Sequence, residues 1–148
     1  MGERGLKFRL LDERPERTFL VRLERGEESV ETLTAFARDQ GIRAARVQGI
    51  GAFTDAVVGF YDLQRREYDR IPVEEEVEVL AFLGNLGVTD EGPRLHAHAT
   101  LSRRDGSVLG GHLFEGRAGA TLEIFVIEVP GELRRIEDDS VGLPLIEL

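Results

Sequence analysis

The sequence predicts an α+β protein: a twisted antiparallel β-sheet with one main α-helix, folded as a single domain over residues 1–148. Three observations predict it. Apolar and polar residues alternate with period two through most of the chain. Gly, Asp and Pro signals divide these runs at intervals too short for parallel crossovers, which need a dozen or more residues. One stretch after Gly26 changes to a helical period.

The first two strands are "LKFRLL" and "RTFLVRLE", with "DERPE" between them as a Pro-containing turn. In "EESVETLTAFARDQG", Val30, Leu33, Phe36 and Ala37 fall on one helical face, acidic residues fill the first turn, and Gly41 is placed to end the helix. Strands follow as "RAARVQGIGAF", "DAVVGFYDL", "REYDRIPVE", "EVEVLAFLGNLGV", "RLHAHATLS", "SVLGGHLFEG" and "TLEIFVIEV". The run Leu122 to Val129 is almost unbroken apolar, so the pattern predicts a strand covered on both faces, with Glu123 as an oddity inside it. The tail "RRIEDDSVGLPLIEL" carries Val141, Leu143, Leu145 and Ile146, and is expected to dock on the domain or on a neighbouring subunit.

Composition narrows the function classes. Cysteine is absent, which removes disulfides, thiolate metal sites and a cysteine nucleophile, so any metal is held by nitrogen and oxygen. The formal net charge is −9, and Lys7 is the only lysine. Such a balance disfavours bare DNA as a partner, because phosphate contacts drive nonspecific affinity. Arg65-Arg66 and Arg103-Arg104 read as solvated hairpin tips rather than a basic patch. No apolar run approaches the ~20 residues of a membrane helix. The N-terminus "MGERGLKFRLLDERPERTF" has charges on both sides of its short apolar stretch, unlike a secretory signal, so cytoplasmic residence is expected.

Chemistry concentrates in "LHAHATLSRRDGSVLGGHLFEG", residues 95–116, which holds all three histidines, His96, His98 and His112. On a strand, His96, His98 and Thr100 share one face while Leu95, Ala97, Ala99 and Leu101 take the other. Turn geometry decides whether His112 joins them. A three-residue loop Arg104-Asp105-Gly106 with a left-handed glycine places His98 opposite His112. A two-residue Asp-Gly turn puts His112 opposite Ala99, on the wrong face, and a bulge at Gly110-Gly111 also shifts the register. Three neutral imidazoles would hold zinc, or another divalent transition metal, with a fourth position open for water, substrate or a carboxylate.

Other candidates are thinner. Glu123 and Glu115 are weak candidates for a catalytic general base or a carboxylate near the metal, with an ordinary salt bridge the plainer reading of each. Arg94, beside the first histidine, is a candidate for holding an anionic ligand. Asn85, between two glycines in "FLGNLG", reads as a turn residue. P-loop, dinucleotide, serine-elbow and RNA-binding aromatic signatures are absent.

The ordered series "VEVLAFLGNLG", "GPRLHAHATLSRRDGSVLGGHLFEG", "LEIFVIEV" and "RRIEDDSVGLPLIEL" resembles the plants-and-prokaryotes-conserved (PPC) domain of the prokaryotic stand-alone type. The most specific parts are the H-A-H strand, the D-G-x-V-x-G-G-H-L return and the position of Glu123. The resemblance implies an α+β antiparallel sheet, a homotrimer, and a metal site at His96, His98 and His112. Prokaryotic members carry a provisional DNA-binding label derived from plant relatives with AT-hooks, and this chain has no R-G-R-P hook. The architecture also resembles acetolactate decarboxylase, a zinc enzyme using an H-x-H strand and a later histidine. Three readings follow: a trimeric metal-binding regulatory or ligand-binding module with a small-molecule ligand, a zinc-dependent lyase or hydrolase, and a DNA-binding protein without a hook.

Overall fold

The computed structural model describes residues 7–12 and 16–148, with side chains from residue 16 onward. The central part of the expected Pro-containing turn, residues 13–15, lies outside the described residues, as do residues 1–6 at the N-terminus.

In chain order the elements are β1 (Lys7–Asp12), β2 (Thr18–Leu23), α1 (Ser29–Gln40), β3 (Ala45–Asp62), β4 (Glu67–Val73), β5 (Val77–Thr89), β6 (Gly92–Ser102), β7 (Val108–Glu128), β8 (Arg135–Asp138) and β9 (Leu143–Ile146). The main sheet runs β1-β2-β7-β6-β5-β3-β4, and β7 also pairs with β3. The ladders β7–β6, β6–β5, β5–β3 and β3–β7, all antiparallel, therefore close into a ring. Closure is possible because β3 and β7 are 18 and 21 residues long and bend at bulges, including those between Gly51 and Phe53 and between Val57 and Val58.

This corrects the sequence reading in one respect: "RAARVQGIGAF" and "DAVVGFYDL" form one strand, as do "SVLGGHLFEG" and "TLEIFVIEV". Glycines that read as breaks lie instead at bulges or close approaches within continuous strands.

The inner face of the ring and one face of the helix share a core. Phe53, Val58, Phe82, Leu86, Leu101, Leu122, Ile124 and Val126 meet Leu33 and Phe36 of α1 there, and Phe19 of β2 packs edge-on to Phe36 with ring centroids 5.2 Å apart. Helix α1 lies against β6 and β7. The expected double-sided burial of Leu122 to Val129 is not found. Leu122, Ile124 and Val126 are buried, whereas Glu123 and Phe125 face outward, so the strand alternates and Glu123 is a solvated residue.

Glu28 begins the helix. Its carboxylate accepts from the amides of Val30 (3.1 Å) and Glu31 (2.7 Å), and also from the Gly116 amide of β7 (2.9 Å). One side chain thereby caps α1 and ties it to the strand that carries His112. Glu28→Ala is expected to lower the free energy of unfolding by about 1–2 kcal/mol, measured by urea denaturation. Gly41, in the left-handed conformation, ends the helix as expected.

The tail docks on the body of its own chain. β8 and β9 pair with each other, the Leu133 carbonyl accepts from the Val88 amide, and the Tyr61 hydroxyl donates to the Val141 carbonyl at 2.6 Å. Among the described residues no helix is long and apolar enough to cross a membrane.

Candidate metal centre

Strand period places the first two histidines. Leu95, Ala97, Ala99 and Leu101 are buried in the core, which turns Arg94, His96 and His98 to the outer face of β6. The turn at 104–106 then places the third. The Arg103 amide donates to the Ser107 carbonyl at 2.9 Å, and Gly106 adopts φ +83°. That is the three-residue loop with a left-handed glycine, and it pairs His98 with His112 across the β6–β7 ladder. The ladder runs without a bulge through Gly110-Gly111. Gly111 is required for another reason: a Cβ there would sit 2.4 Å from the Gly59 carbonyl oxygen of β3. At this point β7 is squeezed between β6 and β3, and only a residue without a side chain lets both ladders form.

The three side chains converge. One ligand atom from each of His96, His98 and His112 lies within 4.8 Å of the others, the one such group among the described residues. The His96 and His98 Nε2 atoms are 3.3 Å apart. A tetrahedral ion with bonds of about 2.0–2.1 Å needs donor atoms about 3.3–3.4 Å apart, so this pair already has the spacing of one tetrahedron edge.

An aromatic wall fixes His112. Its ring lies 4.8 Å from both Tyr68 and Phe114, Tyr68 meets Phe114 edge-on at 4.9 Å, and the Arg70 guanidinium sits 4.0 Å above Phe114. The His112 Nδ1 atom is buried with no hydrogen-bond partner. Burial, then the neighbouring His96 and His98, then Arg94 and Arg70 push its pKa down to about 4. His96 is also lowered, by burial first and then by Arg135, His98 and Arg94. Both rings are therefore neutral near pH 7, the protonation state a metal ligand needs.

Arg135 supplies the second layer around His96. This buried residue, in β8, donates from Nη2 to Asn85 Oδ1 (2.8 Å) and lies 3.2 Å from His96 Nδ1. A guanidinium only donates, so His96 Nδ1 accepts, and the metal-free ring carries its proton on Nε2, facing His98. Were His96 to hold an ion through Nε2, its remaining proton would lie on Nδ1, the atom that faces Arg135. Asn85, whose Oδ1 holds Arg135, lies directly across the β5–β6 ladder from His96. Asn85 is thus a strand residue within the site's hydrogen-bond cluster, a correction to its reading as a turn. Asn85→Ala is expected to weaken zinc affinity by about 10–100-fold, read by competition with a chromophoric chelator.

The other sequence candidates divide. Arg94 lines the cavity beside His96, together with Tyr68, Arg135 and the tail residues Leu143, Pro144 and Leu145. Glu115 and Glu123 do not line it. Glu115 is exposed opposite Val57, and Glu123 borders an outer groove with Ile50, Leu83 and Phe125. Sequence reasoning missed Tyr68 and Arg135, since neither is near the histidines in the chain and no local pattern marks them.

The fold and this site can be set beside known proteins. The family model for the Plants and Prokaryotes Conserved (PCC) domain, also written PPC, matches residues 11–130. The chain belongs to this family. A PPC protein from Pyrococcus horikoshii is 34% identical, with 96% of this chain and 95% of that one covered and a TM-score of 0.85. A protein from Archaeoglobus fulgidus described as metal-containing is 35% identical over 97% and 98% of the two chains, with a TM-score of 0.84. A chain from Bacteroides thetaiotaomicron, described as a candidate DNA-binding protein, is 25% identical over 96% of each, with a TM-score of 0.89. A Staphylococcus aureus protein similar to alpha-acetolactate decarboxylase shares the fold alone, at 13% identity and a TM-score of 0.51, with 74% of this chain and 50% of that one covered. No curated protein matches the chain.

Proposed function

We propose that this PPC-family protein is a metal-binding module in which His96, His98 and His112 hold one divalent transition ion, zinc by preference for imidazole donors, with a fourth position left to an exchangeable ligand. The observation that carries this reading is the convergence of three imidazoles within 4.8 Å of one another, two of which, His96 and His112, line a cavity. The metal-containing relative at 35% identity supports it. Metal analysis of the purified protein and of a His96→Ala/His98→Ala/His112→Ala variant tests it. About one ion per chain in the first and none in the second is the expected result, and equal content in both would overturn the reading.

The module works as a cytoplasmic homotrimer with a regulatory or ligand-binding role. Support for assembly comes from the outer face of the sheet, where Ile50, Leu80 and Leu83 are 59%, 49% and 56% exposed beside Phe125. Apolar patches of this kind mark interfaces between chains. Catalysis is the weaker role, because neither Glu115 nor Glu123 reaches the cavity to act as a general base. Direct DNA binding is weaker again at a net charge of −9, and gel-shift at physiological salt is expected to show no tight complex.

A further inference from the structure

Positive charge gathers around the histidines with no carboxylate lining the cavity beside them. The chain has 28 acidic and 19 basic residues, and among the described residues away from the site many arginines are paired with carboxylates, as in Arg17–Glu128, Arg65–Asp69 and Arg134–Asp90. Arg25, Arg38, Arg46, Arg66 and Arg104 have no such partner among the described residues but are exposed and stand singly, whereas Arg70, Arg94 and Arg135 gather around the histidines. None of these three has a carboxylate within ion-pair distance among the described residues, and all three stand close enough to the histidines or to one another to act on them electrostatically. No acidic residue lines the cavity beside His96 and His112.

Arg135 shows the imbalance most sharply. It is 8% exposed, its Nε is buried without an acceptor, and its other partners are the neutral Asn85 Oδ1, the His96 ring and the Pro144 carbonyl. A buried cation lacking a counter-charge is costly, and a divalent ion on the histidines would add to the same excess. The missing component is an anion.

We propose that this cavity binds a small organic carboxylate, one end held by the Arg94 and Arg135 guanidiniums and the other lying against Leu143 and Leu145 of the tail. A guanidinium fork matches a carboxylate or a phosphate. The apolar tail wall favours the carboxylate, since it gives a short carbon skeleton a surface that an inorganic oxyanion cannot use. The cavity, about 110 Å³ and open to solvent on one side, accommodates a skeleton of a few carbons. The tail therefore acts as one wall of a ligand site. This deepens the metal reading and rests on it for the tighter binding of the loaded form, because the ion's open position offers the carboxylate a further contact.

The test is calorimetric titration of zinc-loaded and metal-free protein with isobutyrate, its neutral isostere isobutyramide, and inorganic phosphate. Isobutyrate is expected to bind the loaded protein about tenfold or more tightly than isobutyramide, and Arg94→Gln to weaken it about tenfold with zinc content unchanged. Arg94 is exposed, so this variant leaves the core intact. If the protein retains no zinc yet binds isobutyrate in an Arg94-dependent way, the metal reading fails and the carboxylate site stands. If zinc is held but isobutyrate binds no better than isobutyramide, or is indifferent to Arg94→Gln, the carboxylate site is overturned alone. Preference for phosphate over isobutyrate also overturns it.

Discussion

His98→Ala is expected to leave the protein folded and to reduce its zinc affinity by far more than the ~10–100-fold that loss of an outer hydrogen-bond partner produces. The two halves of this expectation have separate causes. His98 is exposed on the outer face of β6, and its Nε2 meets only the His96 ring, so little packing is lost and stability should move by no more than about 0.5 kcal/mol. Affinity falls because the 3.3 Å spacing between the His96 and His98 Nε2 atoms disappears, leaving His96 and His112 as the only imidazoles in the group. Chelator competition reads the affinity, and thermal unfolding monitored by circular dichroism reads the fold. A variant that unfolds would show that His98 has a structural role, and one that keeps wild-type zinc affinity would show that it is not a ligand.

Gly111→Ala is expected to act in the opposite order, on the fold first and the site second. The added Cβ would lie 2.4 Å from the Gly59 carbonyl oxygen, and backbone cannot rotate aside as a side chain can. Strands β3 and β7 must separate there, at a cost of about 2 kcal/mol, or roughly 4–8 °C in Tm for a chain of this size. His112 pairs with Gly59 across the same ladder, so the displacement carries the third histidine with it and zinc affinity falls as well. An unchanged Tm would mean that the strands tolerate the methyl and that the Gly-Gly pair is not what lets His112 reach its partners.

The site was legible where local rules govern it. Alternation put His96 and His98 on one face, and the chemistry of Gly106 selected the turn that brings His112 opposite His98. The Gly110-Gly111 pair left the register open, because a glycine pair in a strand signals a bulge and a close backbone approach equally well. Only the second ladder, to β3, distinguishes them. Glu123 was misread for a similar reason. "LEIFVIEV" looks buried on both faces because Phe125 faces outward, and it belongs to an exposed apolar face whose existence a single strand does not reveal.

What the sequence concealed is the second layer. Arg135 reaches His96 across 39 positions and Asn85 across 50. These contacts depend on where the tail crosses the sheet, which no periodicity specifies. Arg135 adjoins acidic residues in "RRIEDD", yet it is buried with no carboxylate partner among the described residues.

The most direct measurement is a crystal structure of the zinc-loaded protein with anomalous scattering recorded at the zinc edge. The expected result is a single peak about 2.0–2.1 Å from one nitrogen of each of His96, His98 and His112, with a non-protein ligand in the fourth position. A peak elsewhere, no peak at the histidines, or a fourth protein side chain closing the ion would contradict an open three-histidine centre.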